Sequence, residues 1–344
     1  SKFLNFISLK QIGKQNTQIS APSFCFEMST QQLFLESKKL TLDKIQETKD
    51  KQVVSNCLVL KADEYPDKCF MKKKTFKYVY AENLLEISAS MFEGSTLEEI
   101  YCPQVGVVKN SGFSNTPLKA LDLPSVTSLY NHAVENCTQL TTINVPILTS
   151  IVDYLLTTCK QLSKINAPLL EEIGEAAFME CNCLKEVHFP SLTYLGECAF
   201  QCAGLEKITC DVLTEMPKDA FTGCMHLDEI NMPELTSIGD TMTKIVNYKV
   251  NSFKAPKLAE IDSGIWYHHP AWATYEMFQS LDFSKVRCSC SGKDKCPFCN
   301  GQFEKFYKAQ KGHKMLKQVA KAVDAKKKTG VKKAKAQDVD FDYE

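Results

Sequence analysis

The chain contains no run of about 18 apolar residues, the length a helix needs to cross a bilayer, so no membrane span is expected. Near its start, Phe3, Leu4, Phe6, Ile7 and Leu9 are interrupted by lysines and polar residues. No small-residue cleavage site follows, and a secretory signal is not expected. Enzymatic motifs are missing as well: there is no P-loop, Gly-x-Ser-x-Gly, His-Glu-x-x-His or dinucleotide fingerprint. The six histidines, at 132, 188, 226, 268, 269 and 313, are scattered. No catalytic residue and no small-molecule substrate are therefore predicted. Net charge is also absent, because 41 Lys and Arg balance 41 Asp and Glu. That balance hides a segregated basic tail. Sixteen cysteines are present, and without a signal peptide the expectation is reduced thiols in the cytoplasm, and possibly metal, with no disulfide framework.

What the sequence does have is a repeat. Ile143-Asn144-Val145-Pro146, Ile165-Asn166-Ala167-Pro168, Val187-His188-Phe189-Pro190 and Ile230-Asn231-Met232-Pro233 are four copies of one phrase. With the proline taken as position 0, the occupants are Glu82, Pro103, Pro124, Pro146, Pro168, Pro190, Asp211, Pro233 and Pro256, at steps of 21 to 23 residues. A fixed period in this range signals a stacked array. Position +2 is always Leu or Val, and position +5 is Ile, Val, Leu or Met. Glycine often follows at +6 (Gly174, Gly196, Gly239), where a turn with positive φ would suit it. An apolar plug recurs near +10: Phe92, Phe113, Val134, Leu156, Phe178, Phe200 and Phe221. Near +13 stand Cys137, Cys159, Cys181, Cys202 and Cys224, with Ser95 and Thr116 in the same slot earlier. Buried free cysteine behaves as a small hydrophobe, so this ladder reads as core packing.

In Leu184-Lys185-Glu186-Val187-His188-Phe189 the apolar side chains alternate with Glu186 and His188, as in a half-buried strand. Pro190 cannot donate to a strand ladder and ends it. A single copy cannot offset its ordering entropy, so stability must come from stacking on neighbours.

The string Ala177, Phe178, Cys181, Leu184, Val187, Pro190, Leu192, Leu195, Gly196 resembles the BspA-type (Treponema pallidum-type) leucine-rich repeat. The resemblance implies an α/β class, right-handed leucine-rich-repeat solenoid, a strand-rich horseshoe of about nine 22-residue repeats with a parallel sheet on one face. It does not fix a function, since members of the family serve mostly as adhesion or protein-binding surfaces. Departures are Asp211 in place of proline, the shortened Ala199-Phe200-Gln201-Cys202, and Thr241–Lys249, which lacks both plug and cysteine and is expected to bulge.

The expected organisation has four parts. Residues 1–77 are an N-terminal cap or degenerate repeats, with Leu33 to Lys51 helical in composition and an exposed first strand in need of cover. Residues 78–284 are the solenoid. Trp266, Tyr267, Trp272, Tyr275 and Phe278 near its end read as a C-terminal cap, or alternatively as an aromatic pocket. Residues 285–302 are a small cysteine-rich segment. Residues 303–344 are a basic helix and charged tail.

Cys288, Cys290, Cys296 and Cys299 place two close thiol pairs around a glycine turn, the donor set of a structural Zn²⁺ knuckle. Arg287, Lys293 and Lys295 would lower the thiol pKa values. Four protein ligands would leave no open coordination position, which excludes catalysis by that ion. Two disulfides or a redox switch, or four free cysteines in a loop, are the alternatives.

The stretch 304–337 holds 12 lysines against Glu304 and Asp324. Leu316, Val319, Ala320 and Val323 recur at helical spacing, flanked by Lys314, Lys317 and Lys321. Lys326, Lys327, Lys328, Lys332, Lys333 and Lys335 follow. The segment reads as a solvated tail, as a polyanion contact for RNA, an acidic filament or anionic lipid, or as a nuclear import signal. The outward strand positions Lys164, Asn166, Glu186, His188, Lys207, Thr209, Glu229 and Asn231 are polar and mixed in sign. They suit a concave protein-binding face and form no basic stripe for nucleic acid. The reading is a non-enzymatic interaction scaffold with a zinc-stabilised C-terminal module. The alternative is an RNA-, ribonucleoprotein- or filament-associated factor anchored by its basic tail.

Overall fold

The computed structural model describes residues 29–239, 252–261 and 287–288. The chain enters through two short helices, α1 (Thr30–Ser37) and α2 (Leu42–Glu47). Ser29 caps α1 in a reciprocal box: its hydroxyl accepts from Gln32 N, and Gln32 Oε1 accepts from Ser29 N. Thr41 caps α2 in the same sense.

All other regular structure among the described residues is strand. After β1 (Gln52–Val54) and β2 (Cys57–Val59), the strands alternate in length. They run β3 (Tyr78–Tyr80), β4 (Glu86–Ile87), β5 (Glu99–Tyr101), β6 (Val107–Val108), β7 (Ala120–Asp122), β8 (Ser128–Leu129), β9 (Thr142–Asn144), β10 (Ser150–Ile151), β11 (Lys164–Asn166), β12 (Glu172–Ile173), β13 (Glu186–Phe189), β14 (Tyr194–Leu195), β15 (Lys207–Cys210), β16 (Glu215–Met216), β17 (Glu229–Asn231), β18 (Ser237–Ile238), β19 (Ser252–Lys254), β20 (Glu260–Ile261) and β21 (Arg287–Cys288). The odd-numbered strands β3 to β19 stack with β2 into one parallel strip. The even-numbered ones, with β21, form a second, narrower strip.

Each sequence repeat from Glu82 to Pro256 supplies one strand of three or four residues ending just before position 0. Side chains at −3 and −1 point inward and are buried, as Val187 and Phe189 show. The leucines at +2 close the turn beneath them. The second strip forms around +5, where Ile87, Val108, Leu129, Ile151, Ile173, Leu195, Met216 and Ile238 are buried.

The third wall is made of turns. Two residues per coil, at +8 and +12, take left-handed φ: Tyr154 (58°) and Thr158 (59°), Ala176 (50°) and Glu180 (59°), Cys198 (55°) and Cys202 (56°). Backbone bonds link these turns from coil to coil, as in Phe178 N donating to Ala199 O (2.8 Å) and Glu180 N to Gln201 O (2.9 Å). Two left-handed residues four apart interrupt any helix. The expected α/β class is corrected accordingly: among the described residues helix is confined to the N-terminal pair, and the array is a strand-rich parallel solenoid.

The plugs fill the centre. Phe70, Phe92 and Phe113 stack face to face at 5.6 and 5.8 Å, and Phe178, Phe200 and Phe221 at 5.1 and 5.7 Å. Val134 and Leu156 separate the two stacks.

A degenerate coil precedes residue 78, where β2 pairs in parallel with β3 in the same strip and Lys68 and Lys72 hold the two left-handed positions. Two expectations are revised. The glycines at +6 serve close approach of coils and not positive φ: a Cβ on Gly196 would lie 2.5 Å from Glu175 N. Cys202 stands in the exposed left-handed position +12, and Ala203 fills the buried slot of the cysteine ladder. The missing residue in that repeat causes the offset. The expected bulge at Thr241–Lys249 and the aromatic cluster at 266–278 lie outside the described residues.

Candidate protein-interaction face

Outward side chains of the long-strand strip fall into two rows, at −4 and −2. In the C-terminal half the register sets Glu186 beside Lys207 and Lys207 beside Glu229, and His188 beside Thr209 and Thr209 beside Asn231. Lys164 and Asn166 occupy the same two rows on β11. The structure sets six of the residues named from the sequence, Glu186, His188, Lys207, Thr209, Glu229 and Asn231, in register on one sheet, and Lys164 and Asn166 on the adjoining one. Lys164, Asn166, Glu186 and His188 are exposed, and the other four are half-buried.

The rows are internally bonded. Lys207 Nζ lies 3.1 Å from Glu229 Oε2, and His188 Nε2 lies 3.0 Å from Asp211 Oδ2. Asp211, which breaks the proline pattern, thus holds a histidine of the preceding coil. Asn166 Nδ2 donates to Asn144 Oδ1 (2.6 Å), and Asn144 Nδ2 donates to Asp122 Oδ1 (2.7 Å). Exposed pairs of this kind contribute about 0–1 kcal/mol each. A mixed-sign surface this long therefore does little for stability and leaves groups available to a partner.

Beside the strip, Glu98 lies between Lys77 (2.8 Å) and Lys119 (2.6 Å). Lys119 first and Lys77 second hold its carboxyl below the usual range.

Sequence reasoning missed the N-terminal end of this face, where α1 and α2 lie on the outward side of β2, β3 and β5. Leu35, Leu40 and Ile45 pack with Cys57, Val59 and Tyr80 in a cluster separate from the main core. Phe34 meets the rings of Tyr80 at 6.4 Å and Tyr101 at 5.9 Å. Lys38 lies over the Tyr78 ring at 4.3 Å and pairs with Glu99 at 2.6 Å. The signal was present: Tyr78, Tyr80 and Tyr101 are aromatic at outward positions that are polar in later coils. The first edge is covered by β1, which pairs antiparallel with β2.

The cysteine ladder is structural. Thiols of Cys137, Cys159, Cys181 and Cys224 donate to the plug carbonyls of the preceding coil, Phe113, Val134, Leu156 and Phe200, at 3.0 to 3.4 Å. Burial pushes Cys137 up to about 11 and Cys224 up to about 12, so both stay protonated at neutral pH.

The sequence profile described as the BspA type leucine rich repeat region matches residues 63–169 and 149–271, in six copies. The chain belongs to the BspA-type leucine-rich repeat family. No curated protein sequence matches it. Among solved structures, a leucine-rich repeat protein from Bacteroides ovatus is similar at 19% identity and a TM-score of 0.43, over 59% of this chain and 70% of that one. A leucine rich cell surface protein from Faecalibacterium prausnitzii shares 21% identity at a TM-score of 0.36, over 63% of this chain and 61% of that one. A leucine-rich repeat protein from Eubacterium ventriosum shares 16% at 0.36, over 60% and 75%.

As a BspA-type array the chain carries its chemistry on surfaces. Among the described residues no group of three or more His, Cys, Asp and Glu could hold a metal ion, and no helix is long and apolar enough to cross a membrane. Of the four thiols named as zinc ligands, Cys290, Cys296 and Cys299 lie outside the described residues. Cys288 is described only through its backbone, on β21 in register with Ile261 of β20. The lysines from Lys314 to Lys335 also lie outside them.

Proposed function

We propose that the protein is a non-enzymatic interaction scaffold that binds a protein partner through the outward face of its long-strand strip. The observation that carries this is the two-row surface paired in register from Glu186 on β13 to Asn231 on β17, with Lys164 and Asn166 in the same repeat positions on β11 beyond a break in the ladder. Its side chains alternate in sign and stand on a rigid strip whose inward residues are buried. Such a surface offers charged and amide groups at fixed spacing, which favours specific recognition over general stickiness. Quantitative affinity capture tests it, comparing the wild type with a Lys164→Glu, His188→Ala, Glu229→Lys variant of unchanged thermal midpoint. Partners bound through this face are depleted at least about tenfold from the variant. An unchanged capture profile overturns the reading.

The proposal extends to the C-terminal module. The set Cys288, Cys290, Cys296 and Cys299 is assigned to structural zinc on donor chemistry alone, and fewer than about 0.2 zinc per purified chain would end that assignment. A reducing cytoplasmic setting is part of the same reading. It is supported by buried thiols that act as S–H donors, and counting free thiols on native protein tests it.

A second reading is favoured by charge segregation. Described residues from 78 onward hold 9 lysines, Arg287 and 22 Asp and Glu, a net charge of 10 − 22 = −12. Residues 304–337 hold 12 lysines and 2 acids, a net charge of 12 − 2 = +10. A basic arm on an acidic body would capture RNA or another polyanion through the arm alone. Steep salt dependence, lost on removal of residues 303–344, is the expected signature.

A further inference from the structure

The hydrogen-bonded ladder of the long-strand strip is interrupted between β5 and β7. Over that break lies an open groove of about 310 Å³, bounded on one side by α1. Leu33 and Phe34 of α1 form one wall, and Tyr101, Pro103 and Pro124 the other, with Asp122 on the rim. Leu33 is 54% exposed, a large apolar side chain left facing the groove.

The neighbouring site shows what this face accepts. There, Tyr78 on one coil and Glu99 in the same row on the next receive the ammonium of Lys38, while Phe34 and Leu35 of the same helix pack on the tyrosines and the small core beside them. Tyr101 and Asp122 repeat that arrangement one coil further along and one row over: an aromatic ring followed, in the same row on the next coil, by a carboxylate. Asp122 accepts from Asn144, and no cation pairs with it among the described residues. Burial first, then the charges of Glu82 and Asp122, raise the Tyr101 phenol, so the ring and both carboxylates belong to one local field.

We infer that this groove docks a lysine-bearing amphipathic helix of a protein partner, its lysine over Tyr101 and against Asp122 and its apolar side against Leu33 and Phe34. The inference rests on the scaffold reading and places a second docking site at the opposite end of the same strip. The occupant follows from charge complementarity, since the array beneath is strongly acidic, and from α1, which already displays the same combination of side chains on the same face. A ring and a carboxylate together favour a primary ammonium on a flexible stem.

The test uses the full chain and a fluorescent, helix-stabilised synthetic peptide carrying two adjacent leucines with a lysine four residues after the first, the spacing of Phe34, Leu35 and Lys38. Saturable binding is expected, weakened about tenfold when the peptide lysine is replaced by norleucine and by a similar factor in Asp122→Asn. Leu33→Asp should weaken it further. Asp122 is exposed and Asn can still accept from Asn144, so that variant keeps its fold, as an unchanged thermal midpoint would verify. No saturable binding up to about 1 mM overturns the proposal. So does binding that ignores Asp122→Asn. Binding lost instead in the Lys164→Glu, His188→Ala, Glu229→Lys variant sinks the groove and leaves the scaffold reading standing. Zero-length carbodiimide coupling of Asp122 to a lysine between 314 and 335 in the peptide-free chain also overturns it, because the groove is then filled by the chain itself.

Discussion

Lys38 and Glu99, 61 residues apart in sequence, meet at 2.6 Å, with the lysine side chain only 7% exposed. The Tyr78 ring lies under the ammonium at 4.3 Å. This contact fastens the N-terminal helices to the outward face of the strip, and it joins a cluster that shares no buried residue with the main core. The helical cover therefore packs on the array through a side cluster that includes Cys57, Val59 and Tyr80 of β2 and β3, apart from the main core.

Lys38→Ala should loosen α1 without weakening the array. A charge-assisted bond that is largely shielded contributes about 1–3 kcal/mol. Hydrogen exchange is expected to accelerate at α1 amides while protection in β9 to β17 is unchanged. Equal acceleration in both regions would show that the two are one cooperative unit.

Phe200 stands between Phe178 and Phe221 with no exposed surface. Phe200→Ala removes both stacking contacts and leaves a cavity, at a cost of about 3–5 kcal/mol. Phe200→Leu should cost clearly less, because Leu156 already fills the same slot. Chemical denaturation of the two variants checks the ranking.

Stability should fall at alkaline pH. Burial raises the thiols of Cys57, Cys210 and Cys224 from 9.0 to about 12, and of Cys137 to about 11. Between pH 9 and these values the unfolded chain loses protons that the folded chain keeps, so unfolding is favoured as pH rises. Each such thiol contributes a slope of about 1.4 kcal/mol per pH unit in that window. The contribution is fully present below pH 9 and is lost as pH rises toward the folded values. Replacing Cys137 by Ala should flatten the slope. The same burial makes iodoacetamide label exposed Cys202 before any ladder thiol.

Thr158 is β-branched at φ 59°, an unfavourable conformation for its side chain. One coil earlier Asn136 holds the same position and donates to Asn115 (2.6 Å). Thr158 Oγ1 already donates to Asn136 Oδ1 at 3.4 Å, so Thr158→Asn should keep that link while relieving the backbone, and raise stability by about 0.5–1 kcal/mol, read as a higher midpoint in urea.

Much of the array was legible because each coil repeats one physical problem. The apolar positions at −3, −1, +2, +5 and +10 must all face one interior, so their spacing shows through changes of residue type. Cys202 was misplaced for the opposite reason: a single deletion shifts phase by one residue, and only the backbone shows that Ala203 inherits the slot. The glycines at +6 carry no local mark that separates left-handed geometry from close approach. Close approach also governs Gly204, at +14, where a Cβ would lie 1.8 Å from Asn182 O, one coil away. The helical composition after Leu33 could be read, but where those helices land could not, because that depends on side chains brought together from three coils.

The two phenylalanine columns end on either side of Val134 and Leu156, and the narrow strip is likewise interrupted between β8 and β10. The narrow strip breaks again between β14 and β16, and the long one between β5 and β7 and between β11 and β13, yet at each of these boundaries the other strip stays paired. The breaks are therefore staggered, so no single plane parts one coil from the next, and a load on this quasi-linear array is spread over neighbouring coils.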